Sequence, residues 1–142
     1  MTSFGTFDET VRRFAQDAKQ SVDRVRKDSI KEVAAEANKP VEAGGNMHVN
    51  TGYLRASQRA STNGPVVPNA MFQPEEGSSY SFNANVVNSV VDKSEWGDTV
   101  YIGWTAAYAG FREHTDGFMR LAVQNWHSIV ERQAKKRNRS SR

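Results

Sequence analysis

The sequence predicts a single domain that mixes helix and strand, and three observations carry the prediction. A helical apolar period runs through residues 7–38 and a second through 117–136, while TVYIGW at 99–104 is β-branched and aromatic enough to be the best strand in the chain. At 142 residues the chain suffices for one core and is too short for two ordinary domains. Hydrophobic residues make up 37% and charged residues 25%, so the apolar content is lean and part of the chain is expected in loops or a tail.

The first helix is read from Val11, Phe14, Ala18, Val22, Val25, Ser29 and Val33, which recur at spacings of three and four. Thr6 with Glu9 fits a capping box at its start, and Pro40 followed by the Gly44-Gly45 pair, read as a hinge, ends it. Its polar face is charged throughout, and Asp23 to Lys27 is an i,i+4 pair in the favourable order. Asn50-Thr51-Gly52 then reads as a turn into 53–61, which is either extended or a short helix. Residues 64–80 hold three of the four prolines and form a long loop, of the kind that is either functional or disordered. In 83–94 Val86, Val87, Val90 and Val91 fit a helical face better than a strand. Gly97-Asp98 turns into the 99–104 strand, and Gly117 opens the last helix. On that helix Phe118, Ala122, Trp126, Ile129 and Val130 share one side.

Composition excludes several functions. Without cysteine there can be no disulfide, thiolate metal site or cysteine nucleophile. No apolar run approaches a membrane span, and the N-terminal MTSFGTFDETVRR lacks the layout of a signal peptide, so the expectation is a protein made in a cytoplasm with no membrane partner. There is no G-x-S-x-G, and no glycine-rich phosphate loop follows Gly44-Gly45, so neither a catalytic residue nor a cofactor is expected. Glu113, His114 and Asp116 are the one cluster resembling metal ligands or an acid/base set, and a metal-dependent hydrolase built on them is the enzymatic alternative. His48 and His127 lie far from it in sequence.

Charge and aromatic placement point instead to partners. The final QAKKRNRSSR holds five of the 19 basic residues and no acid, which leaves 14 basic against 16 acidic residues in the rest. Residues 1–132 thus read as a slightly acidic domain and 133–142 as a basic tail. In that tail Lys135, Lys136, Arg137 and Arg139 are candidates for non-specific contact with DNA backbone. Arg55, Arg59 and Tyr53 would support a nucleic-acid-binding module, although no RNP motif or helix-turn-helix spacing accompanies them. Six of the fourteen aromatics (Tyr101, Trp104, Tyr108, Phe111, Phe118 and Trp126) crowd into 26 residues, more than one small core easily covers. Trp104, Tyr108, Phe111, Arg112 and Glu113 are therefore the candidate subunit interface, since Trp, Tyr and Arg are enriched at interfaces. Alanine at Trp104 or Phe111 is then expected to leave a folded monomer that cannot assemble.

Two motifs in order carry a family resemblance. NTGYLRAS, with Thr51, Gly52, Leu54 and Arg55, resembles a Thr-Gly-x-Leu-Arg-x-Ser signature. GDTVYIGWTAAYAGFREHTDGFMRLAVQNW, with Tyr108, Ala109 and Glu113, resembles a strand, a Tyr-Ala pair, a Glu-containing loop and a C-terminal helix. Together with the long first helix they resemble the lambda Z-like tail-completion, or neck, proteins of long-tailed bacteriophages. The glycine that often follows the Glu closely in that family is displaced here to Gly117. The resemblance implies an α+β domain in which a long N-terminal and a C-terminal helix pack on a small antiparallel sheet. It also implies a non-enzymatic virion protein, a homo-oligomeric ring of six subunits between head and tail. Its neighbours would be a head-completion or stopper protein and the tail terminator, and the genome would pass through it. A tail terminator is the alternative within the class. A heterologous interface closed by rotation makes such a ring and needs two different patches per subunit. On this reading 104–112 is one patch, the Gly44-Gly45 hinge and the 64–80 loop order on docking, and Asp116 sits at the positive start of the last helix.

Overall fold

In the computed structural model, which describes residues 3–140, the first helix is longer than its apolar period suggested. α1 (Ser3–Ala37) begins before Thr6, so Thr6 is not its N-cap, and the Thr6 side chain lies outside the described residues. After a 3₁₀ turn at Val41–Ala43 come α2 (Tyr53–Ala56), β1 (Gln58–Ser61), α3 (Asn85–Lys93) and β2 (Tyr101–Trp104). Then follow α4 (Ala109–Asp116), α5 (Phe118–Gln124) and α6 (Trp126–Ser140). Among the described residues this is an α+β fold of six helices and one two-stranded antiparallel sheet.

The sheet pairs β1 with β2 in the register Gln58 to Trp104 through Ser61 to Tyr101. Segment 53–61 proves to be both of the states its sequence allowed, a helical turn and then a strand. The C-terminal half of α1 crosses the body and contacts α3, α5 and α6. Two apolar clusters meet it. One joins Ala37, Met47, Leu54, Trp104, Ala106, Ala109, Phe118 and Ala122; the other joins Ala34, Val87 and Val91. Polar contacts fix the same packing from outside: Lys31 meets Asp92 at 2.5 Å, Asn125 donates to Glu36 at 2.5 Å, and Arg132 pairs with Glu32. The Asp23–Lys27 pair expected within α1 forms at 3.5 Å.

Three expectations change. The Gly44-Gly45 pair is no hinge: Gly44 takes φ +94° and Gly45 donates to the Pro40 carbonyl, closing a tight loop over which Pro40 pairs with buried Met47. A Cβ on Gly45 would lie 2.0 Å from the Lys39 carbonyl oxygen, so the close approach requires glycine there. Residues 64–80 contain no helix or strand, yet the loop is laced to the body. Asn69 donates to Thr105, Ala107 to Phe72, and Tyr80 to Thr51. The last helix is not one piece. It divides at Asn125, and residues 109–116 form a helix where a loop was read.

Candidate functional site

The two motifs, 50–57 and 97–126, meet at one junction. Gly52 supplies a left-handed φ of +85° before α2, and a Cβ there would lie 2.2 Å from the Tyr80 carbonyl oxygen. Thr51 accepts the Tyr80 amide through its carbonyl and the Tyr53 amide through its hydroxyl. Leu54 is buried. Arg55 closes a reciprocal clamp with the end of α1: its Nε donates to the Asn38 carbonyl at 2.8 Å and its own carbonyl accepts from Asn38 Nδ2 at 2.9 Å. The remaining Asn38 amide oxygen takes the Trp104 indole N–H at 2.8 Å. Arg55 also lies over the Phe82 ring at 5.6 Å. Its Nε and its ring contact thus serve the fold. Arg59 likewise donates to the Ala56 and Gln58 carbonyls.

The second motif arrives from α4. Tyr108 stands at its start, with its ring 6.4 Å from Tyr53, which in turn meets Tyr80 edge-on at 4.9 Å. Burial pushes the Tyr108 phenol up, partly opposed by a hydrogen bond from the Leu54 backbone. Ala109 is buried, and its small side chain lets α4 sit close to the core. At the far end of α4 the Asp116 carboxylate has no solvent exposure. It accepts from the His48 backbone N–H at 3.1 Å, contacts His48 Nδ1 at 2.9 Å, and takes Arg112 at 2.9 Å on both oxygens. Burial by itself would raise its pKa, but these donors outweigh burial and hold it below the ordinary value. A cleft of about 330 Å³ opens between these parts, lined by His48, Thr51, Arg55, Tyr108 and Arg112 among others.

This geometry redistributes the Glu-His-Asp cluster. Glu113 turns to α5 and accepts from the backbone N–H groups of Met119 and Arg120 at 2.8 and 3.0 Å, so the capping role expected of Asp116 belongs to Glu113. Asp116 turns the other way to His48, and His114 is exposed. The three side chains do not converge. Among the described residues no group of three or more His, Asp or Glu is arranged to hold a metal ion.

The candidate interface residues separate in the same way. Trp104 is only 5% exposed and packs edge-on to Phe118 at 4.9 Å, so it belongs to the core and leaves the interface set. Tyr108, Arg112 and Glu113 are half-buried and engaged within the chain, whereas Phe111 projects with 69% of its surface exposed. Trp126, expected on the buried side of the last helix, is exposed, while Phe118, Ala122 and Ile129 are buried as the period required. The basic end is no loose tail: α6 continues through Lys135, Lys136, Arg137 and Arg139, and Gln133 bonds Glu32 of α1 at 2.6 Å. The 132/133 boundary therefore falls inside a packed helix.

The largest departure concerns α1. Every residue from 7 to 20 is exposed, including Phe7, Val11 and Phe14 of the stripe that the period assigns to a core. Sequence reasoning also passed over Asn38, and it set His48 apart from the cluster although its Nδ1 lies 2.9 Å from Asp116. Asn38 carries no signal beyond its place after a helix, because its partners lie 17 and 66 positions away. No described helix is long and apolar enough to cross a membrane. In comparisons with family models, curated proteins and solved structures, no match to the chain is found.

Proposed function

We propose that this chain is a structural protein of a bacteriophage neck, one that completes the tail and joins it to the head as a ring around the DNA passage. The observation that carries the reading is the meeting of the two motifs. Residues 50–57 and 97–126 are the segments on which the resemblance rests, and they form one interlocked junction whose polar groups are used to hold α1, α2, β2 and α4 together. Tyr108, Arg112 and Glu113 then shape the subunit, and Phe111 is left to meet a neighbour.

The test is electron microscopy of particles made when the gene carries an early stop codon, with the intact gene supplied in trans as control. The expected result is separate DNA-filled heads and tails, restored to whole particles by complementation. Tails of irregular length would move the role to tail terminator. Whole, infectious particles made without the protein would overturn the neck reading.

A further inference from the structure

We propose that the projecting end of α1 from one copy seats in the apolar groove between α5 and β2 of the next copy. It rests on the ring of the proposed function for closure, and on two exposed faces of this chain for the contact itself.

The first face is the stripe of Phe7, Val11, Phe14 and Val22. Phe14 is 75% exposed, although the spacing aligns all four on one side of the helix. A helix end of this length is marginal in water unless its apolar side is covered. The second face is a pair of adjoining hollows of about 200 and 110 Å³ that share Ile102, Trp104 and Met119 as walls. Val123 on their rim is 58% exposed.

The two faces cannot satisfy each other within one chain. Val33, which lines the second hollow, is on the same unbroken helix as Phe14. Nineteen residues at 1.5 Å each hold them about 28 Å apart. A second copy meets no such restriction. The contact is heterologous, arm to groove, and repetition of it closes a ring when the rotation permits. Charge suits a copy of this chain better than a polyanion: residues 7–20 carry Asp8, Glu9 and Asp17 against Arg12, Arg13 and Lys19, a net charge of zero. The hollows are lined by apolar residues apart from Glu113, whose carboxylate is held by the Met119 and Arg120 amides, so an arm of zero net charge suits them better than a charged one. A buried Phe contributes 150–250 Å², so the arm and groove together cover on the order of 1,000 Å² per contact, the lower bound for a specific interface. Each copy in a ring makes two such contacts.

Because the natural chain has no cysteine, single introduced thiols report the contact cleanly. Phe14→Cys and Val123→Cys, both at exposed positions, are purified separately, checked for native circular dichroism, and mixed under mild oxidation. A disulfide-linked dimer is expected from the mixture and not from either variant alone. Cross-linking of Phe14→Cys to itself would mean that arms pair with arms and would overturn the proposal. So would the absence of any product. As a second reading, Phe14→Asp is expected to convert the sedimenting oligomer to monomer with an unchanged melting temperature; an unchanged oligomer contradicts the assignment. Either failure concerns only which surfaces join copies, and the particle phenotype still tests the neck role separately.

Discussion

At the scale of single residues, Asn38 does the most with the least exposure. Its side-chain amide and backbone carbonyl tie Arg55 and Trp104 to the end of α1. Asn38→Ala strands the Trp104 N–H and the Arg55 carbonyl in the interior, and each buried group left unpaired costs about 1–3 kcal/mol. Urea denaturation is expected to show a loss of about 2–4 kcal/mol. Gly52→Ala faces both a positive φ and the Tyr80 carbonyl, so it is expected to destabilise by more than about 1 kcal/mol. Asp116 gives a pH dependence of definite sign. Its pKa is lowered in the folded state, so its stabilisation is present above the unfolded carboxylate value near 3.9 and is lost as pH falls through the folded value. The stability gap between the natural chain and Asp116→Asn is therefore expected to be full at neutral pH and to shrink below about pH 4. Gly52 was legible as a turn. Arg55 and Asp116 were misread because the charge of a side chain shows in sequence while its partner 17 or 68 positions away does not.

At the scale of elements, helical periodicity located α1, α3 and the last helical region, and β-branched and aromatic content located β2. It gave the wrong environment where a helix outruns its body. The stripe of α1 continues unchanged from Val33 back to Phe7, and nothing in the spacing marks where the covering elements stop. A chain lacking residues 1–18 is expected to keep its melting temperature within a few degrees, read by circular dichroism, because the removed positions 7–18 are all exposed. Phe118→Ala empties the core beside Trp104 and is expected to cost about 3–5 kcal/mol. The break at Asn125 was not legible, because Asn125 and Trp126 continue the helical count while the division comes from packing against α1 and the Asn125 contact with Glu36. α4 escaped notice for another reason: only Ala109 of its residues is buried, so its apolar side is one short contact.

At the scale of the whole molecule, a lean core is divided between two clusters that adjoin on one face of the two-stranded sheet, where Trp104 belongs to one and Ile102, two positions away, packs against the other, and α1 serves both. The α+β class was legible because strand and helix signals were separated along the chain, whereas the junction that locks them depends on long-range polar bonds. The basic residues end on a helix packed against α1, so deleting 133–142 would damage the fold together with the charge. Serine at the exposed Lys135 and Arg139 is the cleaner change. If both residues contact phosphate, the slope of log affinity for duplex DNA against log salt is expected to flatten by about 1.8. An unchanged slope would exclude this surface from DNA contact. The unbroken course of α1 has a mechanical meaning as well. From Val22 to Phe7 the rod extends about 22 Å, so a tilt of about 10° at its root swings the tip by about 4 Å. In the arm-to-groove ring proposed above, such a tilt would change the spacing between successive copies by leverage on the rod.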